Sequence, residues 1–338
     1  MHIPDGYVSG PVNVAGAVVA AAALAASTWR AKRETRDRPQ TVPLLATTGA
    51  FVFAAQMLNF PIVGGASGHF LGAAAVTALL GPWCGCLVMT LVVALQALVF
   101  TDGGLTALGT NVCNMAVIGC GGSYIVMRTL RMLLPPGRSG YLTAVALASW
   151  ASVLLAAAAC AAELAVSGTS PLLLVLPAML GAHAIIGIGE ALITTALLSA
   201  VIAARPDIVP AWAAIDALPT GARGARPVWK LAVGGLLLAL VLAALVSPWA
   251  SSAPDGLEKV AETAGFSSSW RNCAATGTSD AVISVISTLI GPVRSHRSRV
   301  RHPPRARDDL PRRRGWPPHG WRSSCRPRSD RRRRWFPT

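Results

Sequence analysis

The chain has 338 residues, of which 53% are apolar and only 13% charged, whereas soluble domains carry about 25% charged residues. This composition excludes an ordinary soluble domain and predicts an integral membrane protein. The formal net charge of +15 is typical of nucleic-acid binding, but 16 arginines against three aspartates follow residue 293. The basic excess therefore belongs to the C-terminal tail, and the rest of the chain is nearly neutral.

The N-terminus carries the first chemical signal, because the run MHIPDG places an imidazole one residue behind the α-amine. No Lys or Arg precedes Arg30 and Pro4 interrupts any early apolar core, so we expect no signal peptide and a retained Met1. The α-amine, the amide nitrogen of His2 and its ring Nδ1 can close two adjacent chelate rings around one ion. Tetragonal nitrogen sites suit Ni²⁺ and Cu²⁺ best, and Co²⁺ is a further candidate.

Eight apolar segments have lengths compatible with membrane helices, which require roughly 20 residues. The third is short, and Gly81 and Pro82 separate it from the fourth, so the two form either a re-entrant or a kinked unit. The segments span residues 12–28, 42–59, 68–81, 83–100, 106–127, 140–166, 171–203 and 228–249.

Basic residues test this topology, because cytoplasmic loops gather Lys and Arg. Clusters follow the first, fifth and seventh segments, and with eight spans all three clusters lie on one side. The N-terminus and His69 then share the outer side. The clusters comprise Arg30, Lys32, Arg33, Arg36, Arg38, Arg128, Arg131, Arg138, Arg205, Arg223, Arg226 and Lys230.

His69 is the candidate for the fourth metal ligand, because it follows a run of small residues, 64–68, at the outer mouth of the third segment. Other polar residues lie in or beside the spans. They either form hydrogen bonds between helices, support the two histidines, or line the route of the ion. These residues are Asn59, Ser67, Asp102, Asn111, Asn114, His183 and Glu190.

The sequence offers no nucleotide-binding loop of the G-x-x-x-x-G-K-[ST] kind, so ATP hydrolysis, if transport is active, has to come from a partner. Residues 251–269 are polar and predict an external segment. Within the tail at 270–338, residues 281–293 are apolar but too short for a span, and the Arg- and Pro-rich remainder lacks apolar periodicity, which is typical of disorder.

Several ordered runs resemble the CbiM/NikM family, the substrate-binding membrane component of energy-coupling-factor (ECF) cobalt and nickel importers. The resemblance covers about residues 1–204. The runs are MHIPDG at 1–6, NFPI at 59–62, GGASGH at 64–69, DGGLTALG at 102–109, NVCNM at 111–115, and His183 followed by GIGEALIT at 187–194.

The resemblance implies an all-α membrane bundle of about seven helices with the N-terminus tucked into its core. It implies that Co²⁺ or Ni²⁺ is held as the transported substrate by the Met1 amine, the His2 amide and ring, and His69, with no bound organic cofactor. It also implies a non-enzymatic component of a bacterial plasma membrane, with the N-terminus outside. Its partners are then an ECF transmembrane coupling subunit, cytoplasmic ATPase subunits and membrane lipid.

Residues 228–266 resemble the family's small auxiliary component, with one C-terminal span and an external Pro-Asp-Gly-Leu-Glu segment. We therefore expect a metal-binding core at 1–204, a cytoplasmic linker at 205–227, an auxiliary region at 228–269 and a disordered basic tail at 270–338. The tail departs from the family, and we hypothesise a frameshift between Ser267 and Ala275.

Three other functions compete with metal import. An ECF-type component that binds a vitamin is the main alternative. A haem or copper enzyme using His69 and His183 lacks the paired intramembrane histidines that it needs. A polyanion-binding module rests on the tail alone, and no specific nucleic-acid partner is expected.

Overall fold

The computed structural model describes residues 2–36, 41–62, 65–209, 251 and 253–267, together with residues 212, 233 and 237. The chain divides into two units, 1–285 and 286–338, and every described residue belongs to the first. Met1, almost all of the predicted span 228–249 and the predicted disordered tail therefore lie outside the described residues, apart from residues 233 and 237 of that span. The predicted domain layout stays a prediction.

The described chain is almost entirely helical, which confirms the prediction of an all-α membrane bundle. Four helical stretches are long and apolar enough to cross a membrane: Gly10–Thr35, Ala73–Phe100, Arg138–Val166 and Leu172–Ala204. The helices are α1 (Gly10–Thr35), α2 (Thr41–Gln56), α3 (Ala73–Leu95), α4 (Leu108–Val112), α5 (Gly119–Leu133), α6 (Arg138–Val166), α7 (Leu172–Ala204) and α8 (Gly256–Thr263). Two π-helical segments, Gln96–Phe100 and Cys113–Ile118, extend α3 and join α4 to α5, and a 3₁₀ turn, Pro206–Ile208, follows α7.

Small side chains allow the helices at the centre of the bundle to approach closely. The longest contact runs between α6 and α7, and α5 packs on both α6 and α3. Close approach at small residues is the usual mode of helix association in membranes, where apolar burial alone gives little driving force. The fully buried small residues of α6 are Ala144, Ala148, Ser149, Ser152, Ala156, Ala157, Cys160 and Ala161.

The predicted third helix, 68–81, is wrong at its start. Residues Asn59–Ile62 (β1) and Ala66–His69 (β2) form an antiparallel hairpin in which Asn59 pairs with His69, and α3 begins only at Ala73. Asn59, predicted at the end of the second helix, lies in β1 because α2 ends at Gln56. Residues 66–80 are all buried, so hydropathy alone does not separate the extended part from the helical part.

The helix α3 folds back on itself at Gly81, which has φ 79° and ψ 168°. A Cβ atom on Gly85 would lie 3.5 Å from the Cα of Thr77, whereas residues eight apart in a continuous helix are about 12 Å apart along its axis. The left-handed φ suits glycine, and Pro82 cannot donate to the preceding turn. The two predicted segments around Gly81 therefore form a kinked unit, a helical hairpin, rather than one straight helix.

The auxiliary region contributes α8, which starts with a capping box. The carboxylate of Asp255 accepts a hydrogen bond from the Glu258 N–H at 2.8 Å, and the Glu258 carboxylate accepts one from the Asp255 N–H at 3.1 Å. Leu257 and Val260 are buried as α8 packs on α7 and β2. This helix therefore lies directly beside the strand that carries His69.

Candidate metal centre

The N-terminal segment is fixed inside the bundle by backbone hydrogen bonds. The Ile3 N–H donates to the Asn111 side-chain oxygen at 2.8 Å, and the Asn111 amide nitrogen donates back to the Ile3 carbonyl at 3.1 Å. The Gly104 N–H also donates to the Ile3 carbonyl, at 2.8 Å. Further along, the Asp5 carboxylate accepts from the Thr106 N–H at 2.8 Å. These contacts hold His2 in the interior, where 6% of its surface is exposed.

The structure brings His2 and His69 together, although 66 residues separate them in the sequence. Their rings stack with centroids 5.2 Å apart and an angle of 23° between the planes. Both side chains are buried. Two imidazoles at this spacing can contribute one nitrogen each to a single metal ion.

A hydrogen bond assigns the tautomer of the His69 ring. The Nδ1 of His69 donates to the Phe70 carbonyl at 3.1 Å, so Nε2 carries the lone pair. In His2 the Nε2 lies 3.1 Å from the Gln96 side-chain oxygen, and the Nδ1 lies 3.3 Å from the Asp102 carboxylate. A cation beside Nδ1 of His2 would therefore meet the negative charge of Asp102.

Both imidazoles are neutral at physiological pH. Burial lowers the pKa of His2 to about 3 and the pKa of His69 to about 3. The carboxylate of Asp255 opposes both shifts but does not outweigh burial. Neutral imidazole is the form that binds a metal ion, and Asp255 places a negative charge within electrostatic range of both rings.

The segment that follows His69 is held by two buried polar side chains. The Glu190 carboxylate of α7 accepts from the Leu71 N–H at 2.6 Å and from the Gly72 N–H at 2.8 Å. The Gln56 amide donates to the Leu71 carbonyl at 2.6 Å. Glu190 therefore positions the histidine-bearing strand and does not itself contact either imidazole ring.

The remaining predicted residues fall into two groups. His183 lines a small cavity of about 10 Å³ together with His69 and Gly256, and its Nδ1 donates to the Met179 carbonyl at 2.8 Å. Asn114 donates to the Glu163 carboxylate at 2.6 Å, so the hydrogen bond observed for it joins two helical segments. Asn114 therefore makes a hydrogen bond between helical segments, one of the alternatives that the sequence left open, and a role of His183 in supporting the two histidines stays a prediction.

The auxiliary region covers the hairpin that carries His69. The Ser67 N–H donates to the Pro254 carbonyl at 2.7 Å, and the Ser67 hydroxyl donates to the Ala253 carbonyl at 2.7 Å. On the other strand, the Ser251 N–H donates to the Asn59 carbonyl at 2.7 Å. Ser67 and Asn59 thus both contact the auxiliary segment, and Asn59 also pairs with His69 in the hairpin.

Within the described part of the chain, no three His, Cys, Asp or Glu side chains come together as a metal site. A metal ion at the two imidazoles would therefore need donors other than a third such side chain. Sequence reasoning missed Gln96 and Gln56 as partners of this region, although both were visible as polar residues within apolar segments. Their position in spans, where polar groups are costly, was the available signal.

Comparison with known proteins identifies the family. The CbiM family model, described as the cobalt uptake substrate-specific transmembrane region, matches residues 2–208, and the PDGLE domain matches residues 229–282. The second match extends beyond Ser267, and the hypothesis of a frameshift near that residue stays a prediction.

Two relatives and a solved structure agree with these matches. A putative fused nickel transport protein, NikMN, from Archaeoglobus fulgidus is 36% identical over 280 residues, covering 81% of this chain and 82% of that protein. A putative metal transport protein from Haloquadratum walsbyi is 39% identical over 216 residues, covering 62% and 93%. The crystal structure of a truncated transition metal transporter is 32% identical with a TM-score of 0.53, covering 60% of this chain and 99% of that one. The chain therefore belongs to the CbiM family of cobalt-uptake transmembrane proteins and carries a fused PDGLE domain.

Proposed function

We propose that this cobalt or nickel transport component captures its ion through four nitrogens: the Met1 amine, the amide and Nδ1 of His2, and Nε2 of His69. The observation that carries the proposal is the stacking of the two buried imidazoles at 5.2 Å. In His69 the hydrogen bond from Nδ1 to the Phe70 carbonyl leaves the lone pair on Nε2, as the proposal requires. The Met1 amine, one residue before the imidazole, and the amide nitrogen of His2 complete a planar set suited to Ni²⁺ or Co²⁺.

Charge and space around the histidines support a small cation over a vitamin. Asp102 lies 3.3 Å from His2, and Asp255 acts electrostatically on both rings. The cavity beside His69 measures about 10 Å³, whereas sites for drug-sized organic ligands measure roughly 300–1,000 Å³.

Active import requires partners, because the sequence has no phosphate-binding loop. We propose that an ECF transmembrane coupling subunit and cytoplasmic ATPases act with this chain in a bacterial plasma membrane. The basic clusters then face the cytoplasm, and the N-terminus and His69 open to the outside. Uptake of radioactive nickel into cells should require the coupling subunit and an ATPase able to hydrolyse ATP, and uptake without either partner would contradict this part.

The chelate is tested by metal titration of the full chain, purified with an authentic N-terminus and a C-terminal tag. We expect about one Ni²⁺ per chain, with the absorption band of planar four-nitrogen nickel. His2→Ala and His69→Ala should each weaken binding by more than about 100-fold, because loss of a direct ligand should exceed the 10–100-fold effect of an outer contact. His302→Ala, an imidazole in the basic tail, is the matched control and should bind normally.

The role of the amine is tested separately by extending the N-terminus with two residues. The extension keeps His2 and His69 but removes the amine from its position, so binding should be lost. Full nickel affinity in the extended protein, or in both alanine variants, would refute the proposed ligand set.

A further inference from the structure

A second cavity, of about 540 Å³, lies between the break in α3 and the last turns of α5, away from the two histidines. It exists because α3 folds back at Gly81 and leaves a gap beside α5. Open space surrounds Gly81, where an added Cβ would meet no atom within 4 Å. The residues of its wall that matter here are Ala78, Gly81, Met127, Arg128, Arg131 and Met132.

The polar part of this cavity is positively charged. The Arg128 guanidinium donates to the Tyr124 hydroxyl at 3.3 Å, and the Arg131 guanidinium lies 5.7 Å from the centre of the Tyr141 ring. Among the described residues, neither arginine forms a salt bridge. Each guanidinium has five N–H donors, so the pair retains donors for an anion.

The rest of the cavity is apolar and continues onto the outer surface of α5. Ala78 and Met127 are buried, whereas Met132 and Leu133 are 71% and 76% exposed. In a membrane protein, exposed side chains of this kind face lipid acyl chains. A ligand that binds here therefore meets positive charge at one end and an apolar surface at the other.

Aromatic and basic residues place the cavity at the level of the lipid head groups. Trp83 follows Gly81 by two residues, and the Arg30 guanidinium lies 5.6 Å from its ring. The same guanidinium lies 5.0 Å from the ring of Trp29. Tryptophan and arginine side chains gather at the membrane–water interface, so the break in α3 and the two cavity arginines lie near that interface.

We propose that this cavity binds an anionic phospholipid, with the phosphate between Arg128 and Arg131 and the acyl chains along Met127, Met132 and the outer face of α5. Basic pockets between membrane helices are suited to anionic lipid head groups. A carboxylate from a protein partner would satisfy the two arginines but would leave the apolar wall uncovered. The combination of charge and apolar surface favours the lipid.

The test compares phosphatidylglycerol with phosphatidylcholine of the same acyl chains, using the full chain in detergent, native mass spectrometry and thermal unfolding. We expect wild-type protein to retain and be stabilised by phosphatidylglycerol in preference to phosphatidylcholine. The double variant Arg128→Gln/Arg131→Gln should bind phosphatidylglycerol about 30-fold more weakly, because each basic side chain near an anionic lipid contributes about fivefold. Arg138→Gln is the matched control, since this exposed arginine donates to the Ser199 hydroxyl at 2.8 Å and does not line the cavity.

Nickel affinity of the double variant should equal that of the wild type, which verifies that the variant is folded. The wild-type comparison of the two lipids needs no variant at all. Equal binding of both lipids, or undiminished phosphatidylglycerol binding in the double variant, would overturn the proposal. Displacement of the lipid by inorganic phosphate at similar concentration would also overturn the proposal. A double variant that loses association with the coupling subunit, in a protein without any lipid preference, would overturn it as well.

Discussion

Replacing Glu190 is the most direct way to separate positioning of His69 from metal ligation. The carboxylate is 1% exposed and accepts hydrogen bonds from two successive backbone N–H groups, at 2.6 and 2.8 Å. These N–H groups belong to the two residues that precede α3. They lie two and three residues after His69, so the carboxylate fixes where that strand ends.

The magnitude follows from the two bonds. A buried backbone N–H left without its acceptor costs about 1–3 kcal/mol, so Glu190→Ala, which removes the acceptor of two such groups, should lower the free energy of unfolding by about 2–6 kcal/mol. Glu190→Gln retains one acceptor but turns an amide donor towards the other backbone N–H. This variant should lower the free energy of unfolding by roughly 2–4 kcal/mol. The displaced strand should also weaken Ni²⁺ binding at His69, although neither variant removes a ligand.

Thermal unfolding and nickel titration of the purified chain measure both effects. Glu163→Gln is the matched control, because this carboxylate in α6 accepts from the Asn114 side chain at 2.6 Å rather than from the strand of His69. Nickel affinity should fall in Glu190→Gln and stay unchanged in Glu163→Gln. Equal affinities in the two variants, or a Glu190→Gln protein as stable as the wild type, would refute the positioning role.

Three further predictions concern the N-terminal segment. Gly104→Ala would place a Cβ against the backbone nitrogen of Asp5, so nickel affinity should fall at least about tenfold, as for loss of an outer contact of a metal site. Gly121→Ala, whose Cβ would meet no atom within 4 Å, should titrate like the wild type. Asn111→Ala removes two hydrogen bonds and should cost about 1–3 kcal/mol of unfolding free energy in denaturation experiments, and an unchanged midpoint would contradict the contact. Burial lowers the pKa of both His2 and His69 from 6.5 to about 3. Between these pH values the unfolded chain therefore binds more protons than the folded chain. Stability without metal should then fall as pH drops from about 6.5 towards about 3, and a double alanine variant should show a flatter profile.

The order of helices follows from hydropathy, but the path between α2 and α3 does not. Segments such as 140–166 agree with α6 because a long apolar run has one low-cost conformation in lipid. The run 68–81 is also mostly apolar, yet its first residues are extended. Contacts from Glu190 and from the auxiliary segment stabilise this extended conformation, and both come from residues more than 100 positions away. A local hydropathy pattern therefore cannot predict them.

The pairing of His2 with His69 could be predicted because the clusters of basic residues predicted that both histidines lie on the outer side of the membrane. Their partners could not, because a polar residue in a span has many geometrically allowed neighbours. Gln96 and Asn111 illustrate the limit. Both were recognisable as costly in lipid, but only the folded chain shows that one bonds the His2 ring and the other the Ile3 backbone.

The polar residues inside this bundle have a common physical role. Helices satisfy their own backbone groups, but the N-terminal segment and the chain after β2 are extended and buried, so their N–H and C=O groups need other partners. Asn111 bonds Ile3, while Gln56 and Glu190 bond the backbone at Leu71 and Gly72. The two segments that carry the histidines are thus the segments that buried side chains support. Because these two segments are not helical, the two imidazoles can lie close to each other. The buried polar side chains stabilise the backbone of both segments.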